Sequence, residues 1–297
     1  MTNISIAVVA PGDMGHGVGR ALREHGHDVL TCLAGRGEGS RVRAAVAGMR
    51  DVADLQTLVR EVDLFLSILP PASALELAAD VASAMRAASR YPIYVDCNAV
   101  SPGTAKKVAS VVTAAGAPFI DCGIIGPAPG KGTPRFYVSG PDISAMQALD
   151  GCGFTVKPAG DEIGQASAVK MCYAALTKGT FSLHTAILMA AKSSGTYETL
   201  MAEFEHSQGS TLSKMEARVP FIPADAGRWI GEMEEIAATF RDAGVTGDFH
   251  DGAAWVMRVL AETPFANETR ETLDNSRGLD EAVTEYLKHV AAGPTNS

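Results

Sequence analysis

Apolar and polar residues follow two different rhythms along this chain. In the first half, short apolar runs recur between amphipathic stretches. Ile4–Ala10, Asp28–Leu33, Leu64–Leu69, Ile93–Asp96, Pro118–Gly123 and Phe136–Ser139 read as strands. Several are apolar along their whole length, as strands buried on both faces must be. Between them, Met14–Glu24, Ser40–Ala47, Ser73–Ala88 and Thr104–Ala115 carry helical periodicity. This alternation predicts an α/β fold, a mainly parallel, doubly wound sheet with helices on both faces. After about Ile163 the rhythm changes. Gly164–Ser193 is one proline-free helical pattern, roughly thirty residues and ~45 Å long at 1.5 Å per residue. Further helices are expected around Thr199–Glu205, Asp225–Ala243, Gly252–Glu262 and Leu279–Ala292, with no strand pattern among them. The chain therefore divides, on pattern, into residues 1–162 and an all-α domain over 163–297, joined by a long interdomain helix.

Composition narrows the partners. The formal net charge of −9 argues against nucleic acid phosphates and anionic lipid as ligands. No apolar run is long enough to span a bilayer. The apolar Ile4–Ala10 lacks a positive segment before it and runs into a glycine turn, so it reads as a strand and not as a leader; a cytoplasmic location is expected. The five cysteines, Cys32, Cys97, Cys122, Cys152 and Cys172, show no metal-ligand spacing and read as small buried hydrophobes in a reducing compartment. The histidines are scattered, and no metal is expected.

Where the first strand gives way to the first helix stands Ala10-Pro11-Gly12-Asp13-Met14-Gly15. A dinucleotide site needs a tight turn there, a residue without a side chain where backbone meets diphosphate, and a small residue where helix packs on strand. Gly12 and Gly15 fit the second and third roles, and Ala10 stands where the first glycine would. The helix N-terminus would then offer N–H groups and the positive end of its dipole to the diphosphate. The strand–turn–helix context is what makes so short a pattern informative, and it predicts a Rossmann domain. Asp13 is expected to cap the helix. No carboxylate ends the second strand, where NAD would need one for its ribose diol. Arg36, Ser40, Arg41, Arg43 and Arg50 follow instead, against Glu38 alone. A guanidinium can grip a phosphate bidentately, so Arg36, assisted by Ser40 or Arg41, is the candidate for a 2′-phosphate. NADP is favoured over NAD; the competing view is a solvated helix face.

Four segments together give the chain a resemblance to the β-hydroxyacid dehydrogenase and 6-phosphogluconate dehydrogenase superfamily. Gly12-Asp13-Met14-Gly15 is similar to its G-x-M-G turn. Leu64–Pro71 resembles the strand that ends in Leu-Pro, here Leu69-Pro70, beside the nicotinamide. Asp96-Cys97-Asn98-Ala99-Val100-Ser101-Pro102 resembles the D-x-S-T-x-x-P loop, with Asn98 at the serine. Gly164–Lys170 resembles the segment that delivers the catalytic lysine. The C-terminal part, with Arg228–Glu235, looks more like a poorly characterised subgroup of that superfamily.

The resemblance implies an NAD(P)-dependent oxidoreductase that moves a hydride between nicotinamide and a small hydroxy or keto substrate. It makes Lys170 the general acid–base, a lysine whose pKa desolvation and a nearby cationic ring would lower. Gly12, Asp13, Met14, Gly15, Arg36, Leu69, Pro70 and Asn98 would hold cofactor. Asn98, Gly123, Ile125, Gly126, Tyr173 and Thr177 would line the substrate, the last two on the helical stripe of Lys170. Tyr173-Ala174 stand where the family often has asparagines, and Ile124-Ile125-Gly126-Pro127 where it has V-S-G-G. Both departures lie at the substrate end, so a larger or less acidic substrate is expected. Alternatives are a non-catalytic NADP-binding sensor, an imine reductase, or an oxidative decarboxylase. The last lacks an obvious acid on the stripe of Lys170. Lys178, His184 and Lys192 read as solvated, and Glu232, Glu234 and Glu235 as an exposed face. Asp248, His250 and Asp251 read as a turn. The modest helical domain favours a homodimer.

Overall fold

In the computed structural model, which describes residues 3–269 and 272–290, the first half folds as the alternation predicts. The elements are β1 (Ser5–Val9), α1 (Asp13–Glu24), β2 (Asp28–Cys32), α2 (Glu38–Val46), β3 (Arg50–Val52), α3 (Leu55–Glu61), β4 (Leu64–Ser67), α4 (Ala74–Ala88), β5 (Ile93–Asp96), α5 (Pro102–Ala114), β6 (Phe119–Ile125), β7 (Arg135–Ser139), α6 (Ser144–Gln147) and β8 (Thr155–Gly160). They form one eight-stranded sheet in the order β3-β2-β1-β4-β5-β6-β7-β8. Every neighbouring pair is parallel except β6 and β7. The chain moves outward from β1 through β2 and β3, then crosses back to place β4 on β1's other side. That reversal opens a crevice at the carboxyl ends of β1 and β4, where open α/β sheets bind ligands.

All six expected strands are present. The two that the pattern missed, β3 and β8, are the sheet's edges. β3 has three residues, two of them exposed, and β8 contains Pro158, which an edge tolerates and a central strand would not. The sheet is covered on both faces. One carries Val8, Val18, Leu22 and Phe136, and the other the stacked rings of Phe65, Tyr94 and Phe119, 5.3 and 6.0 Å between successive centroids.

The chain parts into two compact units between Cys172 and Tyr173, so Gly164–Cys172, which pattern alone grouped with the helical half, packs with the sheet. The described residues of the second unit are helical or loop. The long helical segment is α7 (Gln165–Ala174), a π-helical turn over Ala175–Gly179, and α8 (Thr180–Ser193). Then come α9 (Tyr197–Ser207), α10 (Gly209–Arg218), α11 (Pro223–Asp242), α12 (Asp248–Ala261) and α13 (Leu279–Val290). The expected end of the last helix at Ala292 lies outside the described residues. Tyr286 of α13 donates its phenol to the Val219 carbonyl at 2.7 Å, and Arg277 donates to that of Pro220 at 3.0 Å, tying both to the turn before α11.

Several charges read as solvated are interior. The Lys178 side chain is 17 % exposed and pairs with Glu232, itself 5 % exposed, with Trp229's ring centred 5.0 Å from the ammonium. Glu232 therefore does not belong to an exposed face: α11 turns it inward beside Met233 while Glu234 reaches outward to Arg258. Burial pushes the Lys178 pKa down, against the pull of Glu232. His184 is buried too, and Lys192 lies over the Tyr197 ring and pairs with Asp280. His250 is in the first turn of α12, buried edge-on to Phe240 at 4.7 Å. The periodicity hid these contacts because their partners come from other helices. Breaking a buried pair leaves an uncompensated charge, so Lys178→Met is expected to cost about 3 kcal/mol in urea unfolding. Lys178→Met with Glu232→Leu should recover most of that. Equal losses in the single and double variants would show that the pair's charge is not the issue.

Candidate active site

The turn after β1 is shaped by what is missing from it. A Cβ on Gly15 would lie 2.1 Å from the Ala10 carbonyl oxygen, so only glycine lets α1 close on the strand. A Cβ on Gly12 would meet no protein atom within 4 Å; the space in front of it is open. These are the two conditions a diphosphate cradle imposes, close helix–strand packing and bare backbone facing outward. The residues present therefore fit a dinucleotide. Gly12 is also the N-cap of α1, with extended backbone and no side-chain cap. Asp13 is accordingly not the cap: it is the first helical residue, and its carboxylate accepts from Lys131 Nζ at 2.6 Å. Met14 is half-buried against the core. Two glycines missed in the sequence, Gly17 and Gly19, let α1 pack on Ala128-Pro129 and on Met49, at 3.2 and 2.8 Å from where their Cβ would be.

The cations after β2 divide by role. Arg41 donates to the Leu33 carbonyl at 3.0 Å, and Arg43 donates from Nε to the Pro11 carbonyl at 2.8 Å. Arg50 pairs with Glu61 and Asp28 at 2.8 and 3.2 Å. Arg36 is exposed in the turn that closes from its own N–H to the Leu33 carbonyl, with Gly35 in the left-handed region at φ 70°. β2's own residues bring no acid to its end, but β3 does. Asp51 accepts from the Leu33 N–H at 2.9 Å and lies 3.9 Å from Arg41. The strand's neighbour in space supplied what its neighbour in sequence lacked.

At the ends of β4 and β5, Asn98 is 2 % exposed and its amide is engaged by the protein. Its Oδ1 accepts from the Leu69 N–H at 2.7 Å, and its Nδ2 donates to Ser67 Oγ at 2.9 Å and to Asp96. Asn98 thus fixes the loop that presents the half-buried Leu69 and the exposed Pro70. The Ala10 N–H donates to the Ile68 carbonyl at 3.0 Å, which sets this loop beside the glycine turn.

The helix of Lys170 is seated by Asp121, a residue the sequence did not single out. Asp121 is fully buried on β6. Its Oδ2 accepts from the N–H groups of Gly164 and Ser167 and from Ser139 Oγ, at 2.9, 3.0 and 3.0 Å. Its Oδ1 accepts from Ser167 Oγ at 2.6 Å, and Ser139 Oγ in turn accepts from the Ala166 N–H at 3.0 Å. A carboxylate and a hydroxyl from two strands therefore satisfy the first turn of α7. One turn on, α7 lies directly against the sheet. A Cβ on Gly123 would come within 2.7 Å of both the Ala166 carbonyl oxygen and Lys170 Cβ. Gly123 is thus the seat of the lysine's helix. Lys170 is half-buried, Ile125 is in the core and Gly126 is exposed. Tyr173 and Thr177 belong to the second unit; Thr177 lies within the π turn, where regular helical spacing no longer predicts a shared stripe, and its hydroxyl donates to the Tyr173 carbonyl at 3.1 Å. No group of three or more metal-ligating side chains is present among the described residues.

A doubly wound sheet with an open glycine turn at its switch point is the architecture of a dinucleotide-binding domain. Residues 5–149 match the family model of the NAD binding domain of 6-phosphogluconate dehydrogenase, and residues 191–260 match a domain of unknown function, DUF1932. An uncharacterized 28.5 kDa protein of Methanothermus fervidus is 29% identical over 182 residues, 61% of this chain and 69% of its own. A conserved protein of unknown function, whose structure was described as similar to 3-hydroxyacid dehydrogenases, aligns over 86% of this chain and 99% of its own at 25% identity, TM-score 0.63. The Mycobacterium tuberculosis 3-hydroxyisobutyrate dehydrogenase, solved with L-serine, shares the fold over 95% of this chain and 99% of its own, at 18% identity and TM-score 0.68.

Removing the acceptor beneath α7 strands buried donors. Asp121→Ala is expected to cost about 3 kcal/mol in unfolding free energy, while Asp121→Asn, which keeps one acceptor, should cost less. Burial raises the Asp121 pKa, against its hydrogen bonds, so the folded state holds a proton more tightly than the unfolded chain. Its contribution to stability should therefore fall as pH rises from the ordinary carboxylate range through the raised value. Asp121→Asn should lack that decline in urea titrations; identical pH profiles would refute it.

Proposed function

We propose that this chain is an NADP(H)-dependent dehydrogenase or reductase acting on a small hydroxy or keto compound, with Lys170 as general acid–base. The observation that carries the reading is the pairing, on one sheet, of a bare-backbone turn at Gly12 with a lysine whose helix is clamped onto β6. A bound nicotinamide dinucleotide would supply or accept the hydride. The protein's part is positional and protic. Gly12 and the N-terminus of α1 would receive the diphosphate, with Asp13, Met14 and Gly15 framing it. Leu69 and Pro70, held by Asn98, would wall the nicotinamide end. Lys170 would give a proton to the substrate oxygen in reduction and take it back in oxidation, a task that asks for no metal. Gly123, against which Lys170 packs, and Gly126 of the same strand–loop segment are the candidate substrate contacts on the sheet's side. Arg36, exposed just beyond β2, is the candidate for the 2′-phosphate that distinguishes NADP from NAD. The helical unit exposes Leu176, Leu183 and Phe249 at 70%, 59% and 76%, which supports a second copy of the chain as its partner.

Lys170→Met should leave NADPH binding intact and cut turnover at least about a hundredfold, the scale of general acid–base catalysis. A panel of ketones, ketoacids, semialdehydes and imines, followed by NADPH consumption, supplies the substrate for that comparison. Unchanged turnover would remove Lys170 from the chemistry, and no turnover on any member with NADPH still bound would favour a sensor. Arg36→Ala should weaken NADPH about tenfold or more while leaving NADH nearly unaffected, since one charge-assisted contact is lost. Equal losses for both would exclude Arg36 from the 2′-phosphate.

A further inference from the structure

The glycine turn poses an electrostatic problem. Its first helical residue is an acid, Asp13, about half exposed, beside the open space at Gly12 where a doubly charged diphosphate would have to sit. A like charge at that point works against the amides and dipole that make a helix N-terminus attractive to anions. The structure contains an answer from an unrelated part of the chain. Between β6 and β7 the loop over residues 126–134 folds across α1. Gly17 makes room for Ala128 and Pro129, with the Pro129 carbonyl oxygen 3.1 Å from where a Cβ would be. Gly130, at φ 88°, leaves room for the Arg20 guanidinium, which a Cβ there would meet at 2.3 Å. The Lys131 N–H closes a turn on the Ala128 carbonyl at 3.0 Å. The loop is thus docked on α1 at Gly17 and Gly130 and closed by its own turn, and its Lys131 ammonium ends 2.6 Å from Asp13 Oδ1.

We propose that Lys131 neutralises Asp13 so that the glycine turn can accept the cofactor's diphosphate, which makes the loop over residues 126–134 part of the dinucleotide site. The inference rests on the dinucleotide reading of the turn and adds to it a residue that neither the glycine pattern nor the cations after β2 include. As a folding device the pair would be nearly worthless. Both side chains are about half exposed, 52% and 49%, and exposed pairs contribute little. Its value lies in the field at the turn. Arg43, which donates to the Pro11 carbonyl, brings a second cation to the turn from α2. The turn is therefore flanked by positive charge from a loop and a helix distant from it in sequence, within a chain whose net charge is −9.

The test uses the full chain with NADPH as probe, dissociation constants by calorimetry or nicotinamide fluorescence, and thermal melting alongside. Lys131→Ala should weaken NADPH about tenfold at low salt, the scale of removing one nearby positive charge, and less at high salt. Its melting temperature should not move. Asp13→Asn should tighten binding by up to about threefold, because it removes the repulsion outright. The double variant Asp13→Asn with Lys131→Ala should recover most of the lost affinity. Wild-type affinity in Lys131→Ala, or a double variant as weak as Lys131→Ala, overturns the inference; the second result would mean that Lys131 contacts the cofactor directly and not through Asp13. A wild-type chain that binds neither NADPH nor NADH would instead overturn the dinucleotide reading, and this inference with it.

Discussion

A carboxylate sealed inside a sheet must be answered by donors, and Asp121 recruits them from three residues, Ser139, Gly164 and Ser167. Antiparallel pairing of β6 with β7 sets Ser139 opposite Asp121, so the hydroxyl comes from one of the two strands, β7 and β8, that run against the rest of the sheet. The other donors come from the start of α7, whose orphan N–H groups need acceptors as much as the acid needs donors. Each side's requirement is met by the other. The consequence is positional: α7 can start only where its first turn meets Asp121 and Ser139, and it can descend onto β6 only where Gly123 offers no side chain. Lys170 stands at that contact. The orientation of a candidate catalytic amine is thus set by a buried acid forty-nine residues before it.

The cofactor end follows the opposite logic. There, function depends on the removal of side chains: Gly15 lets the helix reach the strand, and Gly12 leaves backbone facing open space. Around this bare turn the chain arranges charge through the backbone. Arg43 holds the Pro11 carbonyl and Arg41 the Leu33 carbonyl, so two guanidinium groups stiffen the loops that follow β1 and β2. Absence of side chains shapes the turn after β1 and dense side-chain bonding the seat of α7 on β6, and the proposed hydride transfer needs both. A flat, charged cofactor calls for close backbone approach, whereas a proton donor must be held to a narrow geometry.

What could be read from the chain was what depends on local pattern. Continuous apolar runs marked six strands, and the glycine spacing after β1 marked the turn, because both signals lie within a few consecutive residues. Edge strands β3 and β8 escaped because an edge is half solvated and loses the apolar signal. Asp121 escaped for a deeper reason. Acids in apolar strands are ordinarily exposed ends, and nothing in Phe-Ile-Asp-Cys-Gly says that its partners stand at Ser139 and Ser167. The same holds for Lys178 and Glu232, separated by fifty-four residues and brought together at a π turn that periodicity cannot register. Asn98 was found by resemblance, but its bonds to Leu69, Ser67 and Asp96 became visible only once β4 and β5 were neighbours.

These cases share a physical pattern. Asp121, Asn98 and Glu232 are buried polar groups satisfied across elements, and so they define how elements register. Apolar packing alone would tolerate small slides of α7 along the sheet, since one aliphatic contact is much like the next. A hydrogen-bonded acid does not tolerate them, because a slide of one residue would leave at least two buried donors unmet. The sheet's apolar faces therefore account for the stability of the fold, while Asp121, Asn98 and their partners account for its precision. That division explains why the candidate chemistry gathers where polar groups are buried, at the ends of β1, β4, β5 and β6, and leaves the aromatic stack of Phe65, Tyr94 and Phe119 to the face where nothing needs to be aimed.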